Sequence, residues 1–144
     1  MLTSRLILVE YLFLLFCSTI VFRTFSEAKT IEYTLFLSYE RAANGEIYLF
    51  FENMMNIVIF IPIGILICLV FAKLKYWHVV IVGFSISLSI EIQQLCFRRG
   101  LFEIDDLVHN TFGCFLGVVL FYTIKYLCLC FTNCCKSHCA KEIL

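Results

Sequence analysis

The sequence contains little charge: Asp, Glu, Lys and Arg make up 15% of its 144 residues, whereas 62% are hydrophobic. A soluble domain of this length could not bury so much apolar surface, so an ordinary soluble protein is excluded. The formal net charge is zero, which gives no support to a nucleic-acid partner. The mean hydropathy is +0.94, and together with long apolar stretches it predicts an integral membrane protein.

Several motifs that carry known chemistry are also missing. The chain has no Gly-rich phosphate loop, no Gly-x-Ser-x-Gly elbow and no internal repeat. No small-x-small cleavage site follows the first apolar run, so we expect a retained helix rather than a removed signal peptide. We predict no nucleic-acid partner, no metal and no cofactor.

Four apolar segments are each long enough to cross a hydrocarbon core of roughly 30 Å. They cover about residues 6–25, 47–72, 77–97 and 107–131. Their short links favour an all-α fold, an antiparallel four-helix bundle in the membrane. Residues 1–131 would form this bundle, and 132–144 a Cys-rich tail. The loop Ser26–Glu46 is expected at the surface, with a short amphipathic helix over Ile31–Tyr39 and no site.

The nine cysteines do not fit a secreted disulfide scaffold. Cys17, Cys68, Cys96 and Cys114 lie inside apolar runs, where cysteine behaves as a small hydrophobe. The others crowd the C-terminus, which favours a reducing cytoplasm. Their spacing fits no regular zinc motif, so a free or lipid-facing tail is favoured over metal binding. The lysines and arginines divide almost evenly between the two sides of the membrane, so their distribution does not decide the orientation. We therefore use the cysteines to predict a multi-pass cell-membrane protein with both termini in the cytoplasm.

Polar residues are expected to meet at one membrane face. A four-span topology brings the start of span two, the end of span three and the start of span four to the same face, and helical spacing aligns the polar positions. These positions are Asn53, Asn56, Glu91, Gln94, Arg98, Arg99, Asp105, Asp106 and Asn110. Gly113-x-x-x-Gly117 is typical of close helix packing. The pattern predicts tight packing at mid-depth and a polar crevice at the outer face.

All of these residues except Glu91 also have a structural interpretation. Aspartates can cap span four, arginines can reach back to the lipid headgroups, and amides can hydrogen-bond neighbouring helices. Glu91, about two turns inside span three, has no such explanation, because an ionisable group at that depth is costly. His109 is one residue off the polar face and is expected at the interface. We favour a functional site.

The same residues resemble the VanZ-like family of bacterial membrane proteins, named for a protein linked to teicoplanin resistance. The matching motifs are Asn56-x-x-x-Phe60-x-Pro62-x-Gly64, Glu91-x-x-Gln94, and Asp105-Asp106-x-x-x-Asn110-x-x-Gly113 with Gly117. The resemblance implies a multi-span envelope protein that affects susceptibility to teicoplanin-type antibiotics. It does not imply a particular reaction.

Three functions stay open at this point. In the first, the crevice binds or remodels a membrane lipid, a lipid-linked envelope intermediate or another amphiphile, and Arg98 and Arg99 contact its phosphate. In the second, Glu91 and Asp106 are the acid and base of an intramembrane enzyme acting on a lipid-linked substrate. They could also bind a divalent metal together with two asparagines. In the third, the polar residues form a packing core or a subunit contact. We favour the first, with the lipid bilayer as the surrounding partner.

Overall fold

The structure is a computed structural model that describes residues 2–21, 31–32, 34–100 and 102–141. Most of the chain is helical. The helices are α1 (Leu2–Phe16), which continues as a π-helical turn (Cys17–Val21), α2 (Leu37–Ala43), α3 (Ile47–Val70), α4 (Tyr76–Phe97) and α5 (Ile104–Lys141). Two short strands, β1 (Ile31–Glu32) and β2 (Phe102–Glu103), pair in parallel.

Within this described part of the chain, four helical segments are long and apolar enough to cross a membrane. They are Leu2–Thr19, Ile47–Val70, Tyr76–Phe97 and Ile104–Asn133. The predicted all-α class is therefore confirmed, whereas the antiparallel arrangement of all four helices stays a prediction. Residues 22–25 of the first predicted span lie outside the described residues. Helix α5 continues without a break from the fourth span into the predicted tail, as far as Lys141.

Glycines bring α3 and α5 into backbone contact. A Cβ atom on Gly113 would overlap the carbonyl oxygen of Ile57, and one on Gly117 would overlap that of Ile61. On α3, Gly64 lies in the same way against the backbone of Cys114. The two helices therefore approach as closely as the Gly113-x-x-x-Gly117 spacing predicts.

Helix α4 crosses α5 in the opposite direction to α3. Gly83 faces the side chain of Cys114, whereas Ser87, one turn later on α4, contacts Asn110, one turn earlier on α5. Because these contacts run in opposite order along the two helices, the C-terminal end of α4 lies beside the N-terminal end of α5.

The loop before α3 differs from its prediction. We predicted a helix over Ile31–Tyr39, and this was wrong, because Ile31–Glu32 pairs with β2 and the helix begins only at Leu37. Phe36 precedes that helix in the left-handed region, with φ 63°. The backbone of Ile31 and Glu32 pairs with β2, so it cannot also form helical hydrogen bonds. This pairing ties the loop to the link between α4 and α5.

Candidate functional site

A crevice of about 350 Å³ opens where α3, α4 and α5 bring their polar residues together. Its size falls within the range of small-molecule sites. The polar lining consists of Ser18, Thr19, Glu52, Asn53, Asn56, Glu91, Gln94, Glu103, Asp106 and Asn110. The apolar lining consists of Leu15, Leu49, Met55, Ile59, Phe60 and Ile90. The crevice therefore combines hydrogen-bonding groups with a substantial apolar wall.

Two hydrogen bonds connect the walls of the crevice. The Nδ2 of Asn56 on α3 donates to Oδ1 of Asp106 on α5 at 2.6 Å. The Nδ2 of Asn110 on α5 donates to the Ser87 hydroxyl on α4 at 2.9 Å. Each contact occupies a polar group that would be costly to leave unpaired in a membrane protein. These bonds hold three helices at the spacing that leaves the crevice open.

Glu91 is the most deeply placed carboxylate of the crevice, with 1% of its surface exposed. Its Oε2 accepts the backbone N–H of Glu103 at 3.1 Å. Glu103 belongs to β2, so the link after α4 folds back over the helix and brings a donor to the buried carboxylate. A buried carboxylate needs such donors, since burial without them is unfavourable.

The first helix forms a fourth wall that the sequence reasoning missed. The π-helical turn places Ser18 and Thr19 in the lining, and the carbonyl oxygen of Thr19 accepts a hydrogen bond from Nε2 of Gln94 at 3.3 Å. Both hydroxyls donate to the carbonyl oxygen of Leu15. A local change to π-helix alters which carbonyls are free. The only available signal was a Ser-Thr pair within an apolar run.

Two amide oxygens in the crevice have no hydrogen-bond partner among the described residues. They are Oε1 of Gln94 and Oδ1 of Asn110, and both side chains are almost fully buried, with 2% and 4% of their surface exposed. The amide nitrogen of Gln94 donates to the Thr19 carbonyl oxygen, and that of Asn110 donates to the Ser87 hydroxyl. In the same lining the buried Nδ2 of Asn53 is a donor without a partner among the described residues, so the crevice contains both acceptors and a donor that are not hydrogen-bonded there.

Asp105 is a predicted site residue that the structure places away from the crevice. Its carboxylate accepts the backbone N–H of Phe36 at 2.7 Å, the N–H of Ser38 at 3.4 Å and the Ser38 hydroxyl at 2.8 Å. These backbone groups begin α2, where the first N–H groups lack helical partners. Asp105 thus caps α2 from a position far along the chain.

His109 is buried within the protein, with 5% of its surface exposed, and its predicted position at the membrane interface stays a prediction. Its Nδ1 lies 2.6 Å from the carbonyl oxygen of Asp105, which can only accept, and this contact places the proton on Nδ1. In the neutral ring Nε2 then accepts from the Tyr39 hydroxyl at 2.7 Å. Burial, followed by the Asp105 carboxylate, raises the pKa of Tyr39, and the nearby Asn53 side chain lowers it by a smaller amount. Tyr39 therefore stays protonated at neutral pH.

Neither arginine of the predicted site lines the crevice. Arg98 is exposed and ends α4 in the left-handed region, with φ 53°. The backbone N–H of Arg99 donates to the Gln94 carbonyl at 2.9 Å. Of the predicted residues, the structure brings together Asn53, Asn56, Glu91, Gln94, Asp106 and Asn110. It does not bring Arg98, Arg99 or Asp105 to that lining.

The family model described as VanZ/LLP1 matches residues 6–126 of the chain. The chain belongs to the VanZ/LLP1 family. The matched region contains every residue that lines the crevice, and it ends within α5 before the cysteines of the C-terminal part. The chain is therefore a VanZ-like membrane protein.

A curated relative supports the same assignment. The chain is 36% identical to Protein VanZ of Enterococcus faecium over 72 residues, which are 50% of this chain and 45% of that protein. The similarity thus spans less than half of the relative's length. No solved structure matches the chain.

Proposed function

We propose that this VanZ-family protein binds or remodels an amphiphile of the cell envelope, such as a lipid-linked intermediate, with the headgroup in the crevice. The observation that carries this proposal is the crevice itself, a cavity of about 350 Å³ with both polar and apolar walls. Ionisable groups at membrane depth commonly mark functional sites. Through its effect on such a molecule at the outer face, the protein would alter susceptibility to teicoplanin-type antibiotics.

An apolar groove beside the crevice supports an amphiphilic ligand. This groove lies between α1 and α4, has a volume of about 360 Å³ and is lined mainly by aliphatic side chains. Leu15 and Ile90 belong to both the groove and the crevice. The groove therefore lies beside the crevice, where it could hold the hydrocarbon tail of a molecule whose polar head is bound in the crevice.

Native mass spectrometry of the detergent-extracted protein tests the proposal. We expect a co-purified amphiphile that is lost in Glu91→Ala, which removes a buried carboxylate, and also in Asp106→Asn, which removes a negative charge from the lining. The matched control is Glu40→Gln, which changes an exposed carboxylate on α2 outside the crevice lining. An amphiphile retained equally by both crevice variants, or absent from the native protein in several mild detergents, would contradict the proposal.

A cell-survival experiment tests the link to antibiotics. A teicoplanin-sensitive bacterium expressing the native gene is expected to survive better than one expressing Glu91→Ala at the same protein level. Equal survival would remove the link to the antibiotic without affecting the binding proposal.

An enzyme is the second candidate, because the structure brings both Glu91 and Asp106 into the lining of one crevice. A buried and a more exposed carboxylate in one site suit an acid and a base. Incubation of purified protein with labelled lipid-linked precursors, with and without magnesium, would release a product if this candidate is correct. No product under either condition, in a preparation that binds the precursor, would leave binding as the function.

A further inference from the structure

Three buried amide atoms of the crevice have no hydrogen-bond partner among the described residues, and they lie on three different helices. They are Nδ2 of Asn53 on α3, Oε1 of Gln94 on α4 and Oδ1 of Asn110 on α5. Between 2% and 4% of the surface of each residue is exposed, and all three residues line the crevice. A buried polar atom without a partner is unfavourable. Three such atoms around one cavity therefore favour a polar ligand.

Two of these amides offer acceptors, because their nitrogens already donate to the protein. Nε2 of Gln94 donates to the Thr19 carbonyl oxygen at 3.3 Å, and Nδ2 of Asn110 donates to the Ser87 hydroxyl at 2.9 Å. The oxygen is the atom of each amide that remains, and an amide oxygen can only accept. A ligand that satisfies both must therefore supply hydrogen-bond donors.

The amide of Asn53 adds a group of the opposite kind. Tyr39 lies near this side chain, but the Tyr39 hydroxyl donates to Nε2 of His109, and Nδ2 of Asn53 has no hydrogen bond to any described group. An amide nitrogen can only donate. The same ligand must therefore also supply at least one acceptor.

Ionised headgroups fit this combination poorly. A primary ammonium supplies no acceptor for the asparagine nitrogen, and a fully ionised phosphate supplies no donor for the two amide oxygens. The carboxylates of the lining do not decide the charge of the ligand, since Glu91, Glu103 and Asp106 each interact with other groups of the protein and Glu52 is exposed. The amides therefore favour a neutral group that both donates and accepts.

We infer that the crevice recognises a neutral, polyhydroxylated headgroup, such as the sugar of a glycolipid. A hydroxyl both donates and accepts, and its hydrogen rotates to suit either partner. A ring with several hydroxyls presents them in different directions, which suits amides on three helices, whereas a single planar amide keeps its donors and acceptor in one plane. The apolar part of the lining suits the C–H faces of such a ring. This inference rests on the proposed function and adds the headgroup class to it.

Five single-chain probes with the same twelve-carbon chain separate the headgroup chemistries. Dodecyl glucoside carries donors and acceptors, its fully O-methylated derivative keeps the ring but has no donors, dodecanamide carries a planar amide, and dodecylammonium and dodecyl phosphate are ionised. Each is titrated into the protein in phosphatidylcholine nanodiscs, and binding is followed by the shift in unfolding temperature, with empty nanodiscs as the partition control.

We expect dodecyl glucoside to bind most tightly of the five. Its methylated derivative should bind roughly tenfold more weakly, because it leaves the oxygens of Gln94 and Asn110 without donors. A site that hydrogen-bonds a hydroxyl discriminates strongly against an analogue that lacks it.

Two crevice variants connect this preference to the residues. Asn53→Leu removes the donor and Gln94→Met removes an acceptor, and each keeps a side chain of similar size. Both are expected to weaken the binding of dodecyl glucoside roughly tenfold. The matched control is Asn133→Leu, which changes an exposed amide on α5 outside the crevice lining and should leave binding unchanged. The unfolding temperature of each variant without a probe reports any fold defect, and two chemically different variants guard against such a defect in one of them.

The outcomes distinguish the inference from the proposed function. Equal or tighter binding of the methylated glucoside, the amide or either ionised probe overturns the sugar assignment and leaves an amphiphile site in place. The assignment also fails if no probe binds, or if neither crevice variant weakens the binding of dodecyl glucoside. Native mass spectrometry decides the proposed function separately: it stands if an amphiphile is lost in Glu91→Ala, and it fails with the assignment if the native protein carries none.

Discussion

Asp105 and Asp106 are adjacent in the chain, but their carboxylates contact different parts of the molecule. Asp105 accepts hydrogen bonds from the start of α2, whereas Asp106 accepts from Asn56 and lines the crevice. Successive residues on a helix point about 100° apart, so one turn of α5 can serve both. One carboxylate therefore has a structural contact, and the other has a place in the candidate site.

Substitution of these two aspartates should separate stability from binding. Asp105→Ala leaves the first N–H groups of α2 without their acceptor and should reduce the free energy of unfolding by about 1–3 kcal/mol. Asp106→Asn keeps an oxygen opposite Asn56 and should have a smaller effect on that free energy. Denaturant titration in detergent micelles measures both values. An unchanged free energy of unfolding in Asp105→Ala would mean that Asp105 does not cap α2 in solution.

Close packing of α3 and α5 should make Gly113 intolerant of a methyl group. In Gly113→Ala the new Cβ overlaps the Ile57 carbonyl oxygen, so the helices must separate, at a cost of about 1–3 kcal/mol. The neighbouring Phe112→Ala changes an exposed residue and is expected to alter the unfolding temperature much less. The comparison is made by thermal unfolding of both variants in the same detergent, and an unchanged midpoint for Gly113→Ala would rule out the backbone contact.

The Tyr39 hydroxyl should titrate above the ordinary tyrosine pKa of 10.0, because burial and Asp105 disfavour its anion. The folded protein therefore holds this proton more tightly than the unfolded chain. The resulting stabilisation is fully present below pH 10 and is lost as the pH rises through the folded pKa. The near-ultraviolet absorbance difference between the native protein and Tyr39→Phe isolates this group among the other tyrosines. A midpoint at or below the ordinary value would contradict the predicted environment.

The backbone at Arg98 should accept glycine. Its φ of 53° is unfavourable for a residue with a Cβ atom, so Arg98→Gly should raise the stability by up to about 1 kcal/mol. Because Arg98 does not line the crevice, the amount of co-purified amphiphile should be unchanged in this variant. If Arg98→Gly lost the amphiphile without losing stability, Arg98 would have a role in the site after all.

The sequence was sufficient for the helices and for much of the crevice. Four apolar segments predicted four membrane helices, and the helical spacing of Asn53, Asn56, Glu91, Gln94 and Asn110 grouped residues that the structure brings together. Both inferences depend on short-range geometry, since a helix fixes which residues share a face. The separation of Arg98 from this group follows from the left-handed turn that ends α4, which helical spacing does not anticipate.

Only the tertiary structure decided the contacts between distant segments. Tyr39 meets His109, Ser38 meets Asp105 and Thr19 meets Gln94 across long stretches of chain. These pairings depend on how α1 and α2 lie against the other helices, and no local pattern specifies that arrangement. The sequence by itself determined a membrane protein with polar groups at one end of its helices. The packing decided which of those groups hold the fold together and which acceptors line the crevice, because a polar group's role depends on the partner that burial brings to it.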